Sequence, residues 1–383
     1  MSDRKQAKAK ALKRRGGGRL ARLVKRLLKA AFLALLLAVC LSSVFIGIRC
    51  YSGSSRPQPI SAAAERASEG LDGYRREEAS TFLTLPEWYI VYNTEEFAKF
   101  IGTQPPSGFP YVASIRQYWR YYGGSCDATK RVYPFSWGNH VMLAVIGSSF
   151  SAEYLVKGLY ENTIGRLTEW VGRDTPEDQF AQKIAVEYGK FMHTVPWYEF
   201  PFFSKLGQLW RETPMTGPRF VRKWERRMAL TAEFGAKGIY GWLIGLASGA
   251  TYGAEDLRIH AWIDNAGDAV FADGAVKKVR QLGPRAYVVT IPRYEAFTGR
   301  VKALIAQGVR FMDIAGNDEI LVTALAPTTY TVSNGLGAVL LADPLLTDPA
   351  TKRLAIAVNV RSLHDAVTAL ERSGATVEHI YDY

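Results

Sequence analysis

Cysteine is scarce in this chain, with only Cys40, Cys50 and Cys126 among 383 residues. Three cysteines decide little, beyond leaving no cysteine pair at the spacing of a zinc ribbon or finger. Also missing are a nucleophile elbow, a phosphate-cradling Gly-Lys-Ser/Thr loop and a His-Glu-x-x-His helix, so the commonest hydrolase, nucleotide-binding and zinc-protease signatures are out. No catalytic residue, metal ligand or cofactor is therefore assigned, and an enzyme is the less favoured reading.

Acidic residues are nearly absent from positions 1–29, where Asp3 stands against twelve Lys and Arg. This tail carries +11 of the formal net charge of +12, and the other 354 residues nearly balance, 36 basic against 35 acidic. The basicity belongs to a tail and not to a surface, which argues against nucleic acid as a partner. Leu20, Leu23, Val24, Leu27 and Leu28 alternate there with basic residues at helical spacing, as in a helix resting on anionic lipid.

Charge of either sign is absent from 30–48, nineteen residues that as a helix span about 28 Å, a bilayer's hydrocarbon thickness. The expectation is a transmembrane helix with the N-terminus cytoplasmic and Arg49 outside. A cleaved signal peptide is the rival, but the basic region is long and no Ala-x-Ala site closes the apolar run. Cys40 falls inside this span. Cys50 and Cys126 can pair only if both face an oxidising compartment.

Residues 51–80, rich in Ser, Arg, Glu and Gly, read with Arg49 and Cys50 as a linker over 49–80. Tryptophan is missing from the first 87 and last 121 residues, so its nine copies define a middle body, 81–262, suited to a membrane interface or to an aromatic core. Within it, 132–152 and 238–254 are uncharged runs of twenty-one and seventeen residues. Spans near 134–152 and 237–254 are expected from them. Arg219, Arg222, Lys223, Arg226 and Arg227 precede the second run, which places its start on the cytoplasmic side. Gly241, Gly245, Gly249 and Gly253 stripe it at four-residue spacing, which lets helix backbones approach closely in lipid. In water, each glycine in a helix costs about 1 kcal/mol against alanine.

A repeat joins the two runs. Residues 152–160 with 164–165 recur as 232–240 with 244–245, and seven of the fourteen aligned positions over 152–165 and 232–245 are identical. Glu153, Lys157 and Tyr160 share one helix face, as do Glu233, Lys237 and Tyr240. Glu four residues before Lys favours an intrahelical pair. These six residues form the candidate binding site, for an anion or a relayed proton, against the plainer reading of boundary charges that snorkel. His140 offers a lone imidazole. Glu87, Trp88 and Tyr89 after Pro86, and Trp197, Tyr198 and Glu199 after Pro196, offer carboxylates among aromatics or plain helix starts.

From Arg285 the pattern becomes α+β. Two strand–helix–strand units, 286–314 and 354–381, with a hairpin partner at 320–325 and a turn at Asn334-Gly335, predict a ferredoxin-like sandwich over 285–383. The whole is expected to be an α+β inner-membrane protein of a bacterial envelope. Its helical body would be transmembrane or interfacial and its C-terminal domain periplasmic. Its role would be interaction or assembly, with membrane lipids and either a protein partner or a second copy meeting the glycine-striped helix. The alternatives are a membrane enzyme or a small ion- or proton-coupled transporter built on the Glu/Lys pairs, or a chain with the first span alone.

Overall fold

The computed structural model describes Lys29 and residues 37–52, 62–248, 257–333 and 335–382. Helix α1 occupies 37–49, and α2 (Ala62–Ser68), α3 (Ala79–Leu83) and α4 (Leu85–Ile101) follow. A 3-10 turn at Pro106–Gly108 leads to α5 (Tyr111–Thr129), then α6 (Trp137–Tyr160). A π-helical segment at Glu161–Gly165 joins α6 to α7 (Arg166–Val171). Then come α8 (Pro176–Met192), a second 3-10 turn at Trp197–Glu199, α9 (Phe202–Glu212) and α10 (Phe220–Ser248). Pro110 and Pro201 stand immediately before α5 and α9, where the ring's locked φ and missing N–H cost the helix nothing. Thr175 and Asp178 exchange side-chain and backbone hydrogen bonds across the start of α8, a capping box that sets its first turn.

Among the described residues, no helix is long and apolar enough to cross a membrane. This overturns the expected membrane class, the spans near 134–152 and 237–254, and the integral inner-membrane location with its cytoplasmic and periplasmic sides. One face of α6 is spent on protein, while Val141, Val145, Val156 and Leu159 on the other remain more than half exposed. Its Leu143, Phe150 and Tyr154 are buried, and Gly147 lies so close to Tyr118 that a Cβ there would sit 2.2 Å from the ring. Of the basic residues read as a cytoplasmic flank, Arg222, Lys223, Arg226 and Arg227 of α10 are inside the molecule, Arg222 and Arg227 each 1% exposed, and Arg219 just before the helix is exposed. Of the expected first span, 30–36 lies outside the described residues, as do Gly249 and Gly253 of the glycine stripe.

The C-terminal region also departs from a single ferredoxin-like sheet. It holds β1 (Arg258–Asp264), β2 (Lys277–Gln281), β3 (Tyr287–Pro292), α11 (Glu295–Ala306), β4 (Arg310–Ile314), β5 (Glu319–Pro327), β6 (Ala338–Pro344), β7 (Thr351–Asn359), α12 (Leu363–Arg372) and β8 (Thr376–Ile380). These form two antiparallel four-stranded sheets, ordered β2-β3-β1-β4 and β6-β7-β5-β8. Each half is the same β-β-β-α-β unit. Because β1 is antiparallel to both β3 and β4, those two strands run parallel with β1 between them, and β5 separates β7 from β8 likewise. The domain thus starts at β1, which Trp262 had assigned to the aromatic body. Residues 320–325 form a central strand and not a hairpin partner. Asn334 lies outside the described residues.

One core, including Ile259, Phe297, Phe311, Ile356, Leu363 and Ile380, joins both halves. The outer face of the second sheet, through Leu321, Leu341 and Tyr381, packs on Phe82, Tyr89, Tyr118 and Phe150 of the helical body. The outer face of the first sheet is covered by Ala67, Leu71 and Tyr74.

Candidate functional site

The two repeat copies meet, antiparallel, where α6 passes α10. Lys157 Nζ donates to Glu233 Oε1 at 3.0 Å, and Lys237 Nζ lies 2.8 Å from Glu153 Oε1. Of the two intrahelical pairs suggested by spacing, Glu233–Lys237 forms, at 3.3 Å, whereas Lys157 turns to the other helix. The exchange is reciprocal, as expected where two like helices face each other across a local two-fold axis. Each ammonium also sits over an aromatic ring, Lys157 at 4.2 Å from the Phe97 centroid and Lys237 at 5.1 Å from Tyr188, a favourable cation–π geometry.

Burial alone would raise the Glu233 carboxyl, but Lys157 and Lys237 overcome it and hold the group down at about 2. Burial likewise opposes the charge on Lys237, which Glu153 and Glu233 keep above the ordinary lysine value. The tyrosines stand outside this quartet: the Tyr160 hydroxyl donates to Glu225 at 2.5 Å, and Tyr240 shares a 3.2 Å hydrogen bond with Ser149. A cavity of about 80 Å³ adjoins the four charges, lined by Tyr154 and Phe234 of the two repeats and by Phe97, Phe150 and Tyr188. It has room for a few waters at about 30 Å³ each, far below the 300–1,000 Å³ of ordinary ligand sites.

Below the quartet, the first turns of α10 bury four cations. Arg222 reaches Asp178 at 2.8 Å and Glu225 at 3.1 Å. Arg226 reaches Glu161 of the π segment at 2.6 Å. Lys223 and Arg227 converge on Glu177, itself 0% exposed, at 3.1 and 2.6 Å. Buried charges persist only when paired in this way. Gly241 of the glycine stripe is used internally, since a Cβ there would meet the Tyr198 carbonyl oxygen at 2.8 Å, and Gly238 before it is packed likewise, its Cβ position 2.9 Å from the Phe203 ring. A Cβ on Gly245 would meet nothing within 4 Å among the described residues.

The remaining candidates are scattered. His140 is buried, its Nδ1 2.9 Å from the Tyr122 hydroxyl, and burial pushes its imidazole down to about 4. Cys50 and Cys126 are joined as a disulfide beside it. Glu87, with burial raising its carboxyl to about 7, shares the start of α4 with Tyr89, which donates to the Ser114 carbonyl, and Trp88, stacked 3.6 Å from His379. Trp197, Tyr198 and Glu199 lie in the second 3-10 turn.

A longer duplication underlies the site, and it is written in the sequence. Glu96-Phe97-Ala98-Lys99-Phe100 matches Glu187-Tyr188-Gly189-Lys190-Phe191, Phe109-Pro110 matches Phe200-Pro201, and Gln117-x-Trp119-Arg120 matches Gln208-x-Trp210-Arg211, all 91 residues apart. With the α6 and α10 copies 80 apart, the spacing changes, so no single offset reveals the whole. The helical body is therefore two like modules, α4-α5-α6 and α8-α9-α10, whose seam holds the quartet. Phe97 and Tyr188, the rings under the two lysines, are equivalent positions.

Comparison with known protein families, characterised proteins and solved structures finds no match to this chain.

Proposed function

We propose that this chain is a non-enzymatic assembly protein that pairs with a second copy of itself. Its docking face is the uncharged outer surface of α1, the first half of α6 and the last turns of α10. Ser42 of α1 bonds Ser148 of α6 at 2.9 Å, and Tyr240 of α10 bonds Ser149, so the three helices lie side by side. Their outward side chains include Leu41, Val44, Val141, Val145, Trp242 and Leu243, each between 51 and 61% exposed. This exposed apolar face is the observation that carries the reading, since such faces mark interaction sites. Among the described residues its outward side chains are uncharged, and Arg49 at the end of α1 is already paired with Asp127, so two copies can close on it about a two-fold axis without burying an unpaired ion. The open notch at Gly245 lies within it. The Glu/Lys quartet supports a structural role beside this, because every one of its charges is answered within the chain.

Site-specific crosslinking tests the assignment. In a Cys40→Ser background, Val145→Cys and Leu243→Cys are expected to give disulfide-linked dimers on mild oxidation, and Lys183→Cys on α8 is not. Absence of a dimer from both face positions, with the protein folded, refutes the reading.

A further inference from the structure

We infer that Cys50, Cys126 and His140 form a redox-gated metal site, closed as a disulfide in the oxidised chain and able to hold a zinc ion once reduced. Three separate elements deliver the ligands: the end of α1, the last turn and a half of α5 and the first turn of α6. The two sulfurs and an imidazole nitrogen all lie within 4.8 Å of one another, on residues 1%, 0% and 3% exposed. A structural crosslink has no need of the third group.

The imidazole is also held as a metal ligand is held. The Tyr122 hydroxyl lies 3.2 Å from the His140 carbonyl oxygen and 2.9 Å from Nδ1, and when it donates to the carbonyl, Nδ1–H donates to the phenol oxygen. That assignment leaves the lone pair on Nε2. Fixing one ring nitrogen through a hydrogen bond is how proteins orient a coordinating histidine. Phe135 stacks on the ring at 4.4 Å, and Phe45, Trp119 and Tyr133 complete an aromatic wall, which limits water and strengthens charge interactions.

Two thiolates and one imidazole are soft and borderline donors, suited to zinc and unsuited to magnesium or calcium. In the reaction a dithiol reductant passes two electrons and two protons to the Cys50–Cys126 bond and becomes a disulfide itself. The two freed thiols then lose one proton each as the ion binds. The sulfurs must separate to about 3.8 Å around a tetrahedral ion with 2.3 Å zinc–sulfur bonds, and the fourth position falls to water.

The test uses the full chain carrying Cys40→Ser, which removes the competing thiol, reduced with a water-soluble phosphine that does not bind zinc. The reduced protein is expected to take up one Zn²⁺ and release two protons, whereas the oxidised protein takes up none. His140→Ala should weaken binding at least tenfold and Tyr122→Phe by a smaller factor. X-ray absorption on the zinc-loaded chain with all three ligands intact should show two sulfurs and one imidazole, and this decides the matter even if a variant fails to fold. No uptake after reduction, equal affinity in folded His140→Ala, or a shell without imidazole each overturns the inference.

Discussion

Replacing Glu233 with Gln isolates the charge at the centre of the seam. Its folded carboxyl titrates at about 2 against the usual 4.5, and at 1.36 kcal/mol per pH unit the ionised group stabilises the fold by about 3 kcal/mol. Because the folded value is the lower one, this contribution is complete above about pH 4.5 and disappears as pH falls toward 2. Glu233→Gln removes it at neutral pH and leaves Lys157, with a side chain 17% exposed, without a carboxylate, while Lys237 keeps Glu153. The expected loss is about 2 to 4 kcal/mol, read as a urea midpoint lowered by about 1 M with an unchanged slope. Glu153, 39% exposed and bound to one lysine, should cost under about 1 kcal/mol as Gln. The double change Lys157→Met with Glu233→Leu should recover most of the loss, since a well-packed apolar pair replaces a buried ionic one at little cost. A loss below 1 kcal/mol for Glu233→Gln, or equal losses at 153 and 233, would refute the argument that the quartet is an interior lock.

Gly147→Ala forces a methyl to within 2.2 Å of Tyr118 and should lower stability by about 1–3 kcal/mol; Gly245→Ala meets open space and should be neutral or stabilising by up to about 1 kcal/mol, both read by thermal denaturation. Glu177→Gln leaves Lys223 and Arg227 buried against a neutral amide, so a loss of about 3–5 kcal/mol is expected in chemical denaturation. Burial raises Asp313 to about 6, partly offset by hydrogen bonds from the Tyr74 hydroxyl and the Gly316 N–H. The folded chain therefore holds a proton that the unfolded chain releases, and stability should fall by up to about 3 kcal/mol as pH rises from about 4 to 6. Asp313→Asn keeps an oxygen for Tyr74 and should flatten that part of the stability–pH curve.

Local pattern was readable in the last hundred residues. The β-rich runs 286–291 and 354–360 fall largely in β3 and β7, and Phe297, Val301 and Leu304, with Leu363, Val367 and Leu370, share helical faces that are buried in α11 and α12. Duplication was readable as well: Gly158 and Gly238 recur because each fits under an aromatic ring, Tyr111 or Phe203. Solvent identity was not readable. An uncharged run such as 132–152 is equally at home in hydrocarbon or against tyrosines, and a basic run such as 219–227 is equally at home in water or opposite Glu161, Glu177 and Asp178. Glu153 with Lys157 reads as an intrahelical pair because a sequence displays neighbours four residues apart and hides a partner 76 residues away.

Amino-acid order alone located the strand–helix–strand runs at 286–314 and 354–381, the short repeat at 152–165 and 232–245 and the basic tail, since these are patterns of neighbouring residues. Folding in three dimensions chose the partners. It turned Lys157 and Lys237 across the seam, drew Arg222 to Arg227 inward onto acids from α8 and the π segment, and made β1 the centre of a sheet. Such choices follow from contacts between residues far apart along the chain, whose energies depend on burial and geometry that no local spacing encodes.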